Sequence, residues 1–257
     1  MFDSPLYLGN SSLALAFLLV GCCLILLWIE RLKLFQEVVV GSIRGFLQLL
    51  LLGYVIEIVF GLERLVWILV MIGAMIAIGA HTVRRRAGKI RRAWLVCAAA
   101  ITAGTVLSLG VAFLFGIVPS KANYLIPLGG IVVGNATRML SVGLDRLLGE
   151  VKNRRAEIEV ALALGADARA ATQASRLAAM RAAINPLIDG MKIMGTVQIP
   201  GAMLGMILGG ASPLEAAKLQ IVVLFLILAN NTATIVAAVE LAYPSYFTRD
   251  FQLRPVI

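Results

Sequence analysis

Seven apolar stretches, at about 11–29, 38–60, 64–83, 93–118, 124–142, 186–209 and 214–241, take up most of the 257 residues. Each is close to the ~20 residues an α-helix needs to cross the hydrocarbon core of a bilayer. The chain is therefore expected to be an all-α, polytopic membrane protein of about seven transmembrane helices, forming one domain over 1–257. Its charged fraction of 14% points the same way, since soluble domains carry roughly 25%. The stretch at 11–29 follows a segment without basic residues and precedes no small-residue cleavage site, so it is expected to be a retained span and not a signal peptide. Cys22, Cys23 and Cys97 fall inside apolar stretches, where packing is their expected role.

The basic residues set the orientation. When successive connections are assigned to alternating sides, seventeen Lys and Arg fall on one side and two, Arg64 and Lys121, on the other. Lys and Arg accumulate on the cytoplasmic side of membrane proteins. The N-terminus is then outside, the C-terminus cytoplasmic, and the location the cell inner (plasma) membrane. The run RRRAGKIRR at 84–92 fits a topology anchor against lipid headgroups. No aromatic residue interleaves it, as base stacking would require, so nucleic acid is not an expected partner.

One cytoplasmic connection is long. Residues 143–185 are rich in Ala, Leu, Glu and Arg, all good helix formers. Leu144, Leu147, Leu148 and Val151 keep helical spacing, so the fifth span is expected to continue beyond the membrane. Gly165-Ala166-Asp167 breaks the pattern, Asp167 is placed to cap a returning helix, and Asn185-Pro186 is expected to end it. Before the break, Glu157, Glu159, Ala161, Leu164, Gly165 and Ala166 carry a Glu-x-Ala-x-x-x-Gly spacing that resembles the coupling loop of ABC importer permeases. A short helix with an exposed apolar edge can fill a groove on a partner. On spacing alone, an amphipathic helix ending in a glycine cap reads the same way.

The sixth stretch carries Asp189, Lys192 and Pro200-Gly201. A charge at mid-membrane costs roughly 2.5–3.5 kcal/mol on insertion scales, so an acid and a base there imply pairing or a water-filled path. As one helix, about 100° per residue places Asp189, Lys192, Thr196, Pro200 and Met203 on one third of the circumference. Gln198, Gly201, Gly205 and Gly209 then face another helix, and Pro200-Gly201 is a joint. Lys192 reads equally as a pair for Asp189 snorkelling at the membrane edge. Asn135 and Arg138 are expected to bond between helices, and Asn230 and Asn231 to find buried partners. Arg44 and Gln48 share a face of the second span. Glu57 near an outer end is either a cation-release ligand or a solvated terminus. His81 has no second histidine to form a metal pair, and Met191, Met194, Met203 and Met206 suit packing better than a hard metal. No set of residues in the sequence is assigned as metal ligands.

Gly134-Asn135-Ala136, Leu164-Gly165-Ala166, Asp189-x-x-Lys192-x-x-Gly195, Pro200-Gly201-Ala202-Met203 and GGASPLEAAKLQIVV at 209–223 together resemble the FetB-type ABC permeases, a family of bacterial iron exporters and plant aluminium-sensitive-three proteins. The resemblance implies a non-enzymatic permease subunit that dimerises and binds a separate ATPase subunit through the 157–167 loop. ATP and Mg would sit on that partner, and this chain carries no GxxxxGK[ST] of its own. The resemblance further implies export of a metal ion such as iron, with a nucleotide-sugar as the alternative cargo. Asn135, Asp189, Lys192, Thr196, Pro200, Gly201, Met203 and Glu57 are the candidates for the substrate path or its gating. Leu204, where the family more often has Ser or Thr, and Asn230-Asn231, where small residues are usual, depart from the pattern. A channel or a membrane sensor is the competing class.

Overall fold

The computed structural model describes residues 10–32, 34–60, 64–87, 90–119, 121–248 and 252–254. Lys33, Gly88, Lys89, Arg249 and the segment 1–9 lie outside the described residues. Its helices are α1 (Asn10–Ile29), α2 (Phe35–Phe60), α3 (Leu65–Arg84), α4 (Ala93–Thr105), a π turn (Val106–Gly110) running into α5 (Val111–Leu114), α6 (Ala122–Asn153), α7 (Arg155–Ala163), α8 (Ala168–Ala171), α9 (Gln173–Ile193), α10 (Gly201–Leu208) and α11 (Pro213–Ala242). Among the described residues there is no strand, only isolated bridges at Met194–Gln198 and Phe247–Leu253.

Five segments are long and apolar enough to cross a membrane: Phe35–Glu57, Leu65–Arg84, Ala93–Leu114, Ala122–Asn153 and Pro213–Tyr246, with a shorter apolar helix at Leu15–Ile29. The sixth expected span is not one helix. Pro186 lies inside α9 and does not end it, whereas the chain leaves the helix at Ile193 and resumes only at Gly201. A proline removes one backbone bond, which a packed helix tolerates.

Contacts along the helices fix their directions. Ile72 approaches Gly129 and Thr137 approaches Gly79, so α3 and α6 run parallel; Asn230 reaches Val132 and Ile235 lies against Gly143, so α11 runs with them. The connections then make α4 and α9 antiparallel to these three. Arg84–Arg86, Arg91, Arg92, the end of α6, the start of α9 and the end of α11 consequently share one end of the bundle, called the basic end below. One core cluster fills that end, with Ala80, Val83, Leu140, Leu144, Leu147, Val151 and Ile158 at its centre. A second, around Ile68, Leu109, Ile126, Val132 and Val223, fills the other. At 32 residues, α6 is about 48 Å long, so it overhangs a ~30 Å hydrocarbon core by several turns. The α1–α2 hairpin is closed by Phe17 and Phe46, ring centroids 5.5 Å apart, and leans on the bundle through Val55.

The helices α4 and α11 pack with their backbones close together. Asn230 is fully buried and donates from Nδ2 to the carbonyl of Val132 on α6 at 3.1 Å and to Asn231 Oδ1 at 3.4 Å. Gly104 makes this approach possible: a Cβ there would stand 2.1 Å from Thr234 Oγ1 and 2.5 Å from the Asn230 carbonyl. Among the described residues neither Thr234 Oγ1 nor Asn230 Oδ1 has a hydrogen-bond partner; both lie where a Gly104 Cβ would stand, and a weak Cα–H···O contact to that glycine is the available compensation. At the far end of the bundle, Ser212 and Glu215 form a reciprocal capping box that starts α11, with Pro213 at its first position.

Gly104→Ala is expected to force α4 and α11 apart at a cost of about 1–3 kcal/mol, read as a lower melting temperature in detergent. Gly149→Ala, which meets nothing within 4 Å, is the control. Equal melting temperatures for the two variants would show that the seam is not tight.

Candidate functional site

Two regions gather the chemistry-bearing residues, a foot at the basic end and a cleft within the bundle. The foot is built from the overhang of α6 followed by α7, α8 and the start of α9. In α7 only Ile158 is buried; Ala161 and Leu162 are half-buried, while Val160 is 59% and Leu164 83% exposed. The helix ends in a double turn in which Gly165 N–H donates to the Leu162 carbonyl and Ala166 N–H to the Ala161 carbonyl, each at 3.0 Å. Gly165 takes φ +92° there, a conformation open to glycine and strained for other residues. Asp167 then accepts from Ala170 N–H at 2.6 Å and caps the return, as its position in the sequence predicts.

The charges of the foot are paired within it. Glu150 meets Arg146 at 2.7 Å and Arg154 at 3.1 Å, Glu157 meets Arg154 at 3.4 Å, and Glu159 meets Arg155 at 2.8 Å. The hydrogen bond from Arg154 to Glu150, followed by the charge of Glu157, raises the Arg154 pKa above its ordinary value. With its acids engaged in this way, the foot presents an apolar tip, Val160 and Leu164, beside a rigid turn.

The cleft, of 370 Å³, lies between α6, α9 and α11. Its polar lining is Asn135 and Arg138 from α6, Gln198 from the segment after α9, and Asn231 from α11; Met139 and Met194 add thioethers. Asn135 Nδ2 donates to the Ile131 carbonyl at 2.8 Å and Arg138 Nη2 to Asn135 Oδ1 at 3.2 Å. These bonds run along α6 and not between helices, contrary to expectation, because i to i+3 and i+4 neighbours lie within reach on one face.

The wall of the cleft contributed by the sixth stretch is unwound. The Ile193 carbonyl accepts from Val197 N–H at 2.9 Å, Gln198 N–H at 3.2 Å, Thr196 N–H at 3.3 Å and the Thr196 hydroxyl at 3.1 Å. Gly195, at φ +81°, turns its N–H back to the Gln198 carbonyl at 2.9 Å. An extended Ile199-Pro200 follows, and Pro200 stands as the N-cap of α10. Met194 sits 4.0 Å from Gln220 Nε2, about two turns into α11, so the break lies at depth in the bundle.

This geometry corrects the single-helix reading. Asp189 and Lys192 are on α9, Thr196 is in the unwound turn, Pro200 precedes α10, and Gly201 and Met203 are on α10, so they share no stripe. Of the eight path candidates only Asn135 lines the cleft; Asp189, Lys192, Thr196, Pro200, Gly201, Met203 and Glu57 do not. Asp189 and Lys192 pair at 3.0 Å one turn before the break, 70% and 69% exposed, and Glu57 is exposed on α2. Among the described residues a Cβ added at Gly201 or Gly205 would meet nothing within 4 Å, so these glycines do not form a close helix contact. Arg44 and Gln48 are exposed on α2, and His81 is exposed in the last turn of α3. Among the described residues no three His, Cys, Asp or Glu side chains are grouped to hold a metal ion. Gln198 was hidden from sequence reasoning because an unbroken helix puts it on the opposite face, and Arg138 because it read as a bonding residue.

Residues 10–247 match the family described as "Uncharacterised protein family (UPF0014)". Protein ALUMINUM SENSITIVE 3 of Arabidopsis thaliana is 35% identical over 241 residues, 94% of this chain and 88% of that protein. The UPF0014 membrane protein YjkA of Bacillus subtilis is 35% identical over 220 residues, covering 85% and 88%. The probable iron export permease protein FetB of Escherichia coli is 31% identical over 246 residues, covering 95% and 94%. No solved structure matches the chain significantly.

A thiol reacts as thiolate, which needs water. With Cys22, Cys23 and Cys97 replaced by Ala, Arg138→Cys and Gln198→Cys are expected to react with a charged thiol reagent, whereas Ala136→Cys, fully buried on α6, stays protected. Protection of all three would mean that the cleft is dry.

Proposed function

The chain belongs to the UPF0014 family of membrane proteins, and on that premise we propose that it is the membrane-spanning permease subunit of an ABC transporter. In this reading it is not an enzyme. Two copies pair, and each engages a separate ATPase subunit, which holds ATP and Mg, through the foot at 157–167. The observation that carries the proposal is the tip of that foot. Val160 and Leu164 are large apolar side chains held out from the fold by a turn that only Gly165 makes comfortably, while the neighbouring acids are tied up by arginines. An apolar projection on a short, charge-neutralised helix suits a groove on a partner protein. The accumulation of arginines at the foot's end of the bundle supports placing that end in the cytoplasm, with the N-terminus outside and the protein in the cell inner membrane.

Nucleotide binding and hydrolysis would move the foot, and α9 would carry the motion to the cleft, which is alternately open inward and outward. The cargo proposed is a metal ion, iron moving outward, as the name of the Escherichia coli relative suggests. The lining of the cleft favours a second reading. It offers one guanidinium, three amides and two thioethers and no carboxylate, whereas hard cations are held by carboxylate and other oxygen ligands. Such a set suits an anionic, hydroxyl-rich solute such as a nucleotide-sugar.

An ATPase is expected to co-purify with the chain. Leu164→Arg or Gly165→Arg should abolish its coupled turnover while the chain still inserts into membranes at parental levels. Unaltered coupling in both variants would favour the channel or sensor class. Flux in proteoliposomes decides the cargo: ATP-dependent movement of ferrous iron supports the first reading, and movement of a uridine-diphosphate sugar the second.

A further inference from the structure

Besides α7, the foot has a second fastening to the bundle, centred on Arg176 in the first turn of α9. Its Nη2 donates to Glu240 Oε1, its Nη1 donates to the Arg169 carbonyl at 3.0 Å, and its guanidinium carbon stands 4.9 Å from the centre of the Tyr243 ring. Arg169 from α8 adds a contact of 3.5 Å to the other oxygen of Glu240. One carboxylate in the last turn of α11 thus holds two helices of the foot. The side chain of Arg176 is only 11% exposed and that of Glu240 30%, so this pair is drier than the ion pairs around α7.

The place of the fastening gives it a consequence. The cleft has three walls, α6, α9 and α11. Going from Arg176 along α9 leads to Leu187, Gly190 and Met194; going back from Glu240 along α11 leads to Asn231, Ile227 and Leu224. Two of the three walls therefore meet at the Arg176–Glu240 pair, and the third, α6, takes no part in it. An α-helix is stiff over this length, so a displacement of the foot that keeps the pair intact moves both walls. Space for such movement is present: a pocket of 320 Å³ adjoins Arg169, Gln173 and Arg176. Arg176 Nε, buried and donating to no acceptor among the described residues, leaves the guanidinium a donor for another arrangement.

We infer that Arg176 is a positioning residue that, through Glu240, transmits movement of the foot to α11, so that the α9 and α11 walls of the cleft shift together. The inference rests on the proposed engagement of the foot by an ATPase.

The test uses the full chain with its co-purified ATPase in liposomes. Spin labels at Val142 on α6 are paired with a label at Ile188 on α9 or at Phe225 on α11, all exposed positions, and distances are measured without nucleotide and with ATP and vanadate. In the parent both distances should change. In Arg176→Gln the α9 distance should still change, the α11 change should be lost, and ATP turnover should persist; Arg169, mostly exposed, is a weak substitute. The exchanged pair Arg176→Glu with Glu240→Arg should restore the α11 change, and Arg176→Lys should restore it in part. An unaltered α11 change in Arg176→Gln overturns the inference. So does joint loss of both changes with a lower melting temperature and no rescue by the exchange, which marks a merely structural clamp. Absence of any nucleotide-dependent change in the parent, or of a bound ATPase, removes the premise itself and is distinguished by appearing before any substitution is made.

Discussion

A bilayer offers a backbone no hydrogen-bonding partners, so a helix that stops at depth must settle its carbonyls and amides with the protein itself or with water. The end of α9 meets this demand with one acceptor: the Ile193 carbonyl gathers three backbone N–H groups and the Thr196 hydroxyl. Gly195 makes the gathering possible, because its left-handed φ turns the chain so that its own N–H donates to the Gln198 carbonyl. The rest of the site depends on this knot. It delivers Gln198 to the same cleft as Arg138 and Asn231, and it divides one span into a long lever, α9, and a short helix, α10. A continuous helix would supply neither.

Electrostatics governs the foot by the opposite route. Exposed ion pairs contribute little to stability, typically about 0–1 kcal/mol each, and the value of the pairs around Arg154 and Arg155 lies elsewhere. They turn the acidic start of α7 into a surface with little net charge, so that Val160 and Leu164 dominate what a partner would meet. Burial of two such side chains yields roughly 1.5–3 kcal/mol each, enough to anchor a contact that the exposed charges could not hold at physiological salt.

How much of this was legible in the sequence follows from which signals are local. The spans other than the sixth, the overhang of α6 through Leu144, Leu147 and Val151, the Gly165 turn and the Asp167 cap are set by periodicity and by single residues with special backbone or capping chemistry, and they stand where the pattern puts them. Ser212-x-x-Glu215 carries a capping-box signal for the start of α11 that the hydropathy pattern, which opens this span at 214, does not use. The break at Ile193 was misplaced because Pro186 and Pro200 are the stronger helix breakers by propensity. One is absorbed inside a packed helix and the other caps a new one, while the turn at Gly195, a weaker breaker than proline, ends α9 because Thr196, Val197 and Gln198 all donate to the Ile193 carbonyl. The stripe of Asp189, Lys192, Thr196, Pro200 and Met203 failed with it, since any face computed by helical spacing loses its phase across an unwound turn. The Arg176–Glu240 pair joins positions 64 residues apart, and one sequence carries no signal for it.

The two contacts of α11 explain which boundary of the bundle can give. Against α4 it is locked: Gly104 leaves no clearance beneath Thr234 and the Asn230 backbone, and sliding would drive a hydroxyl into a helix axis. Against α6 it is also close, but through side chains: a Cβ at Gly143 would stand 2.2 Å from Ile235 Cδ1, and Asn230 Nδ2 donates to the Val132 carbonyl, a bond that contributes about 0.5–1.5 kcal/mol net. A side-chain tip can turn to another rotamer where a backbone carbonyl cannot, so in the proposed cycle a push arriving through Glu240 would open the α6 seam before the α4 seam, along the line where the cleft already separates α11 from α6.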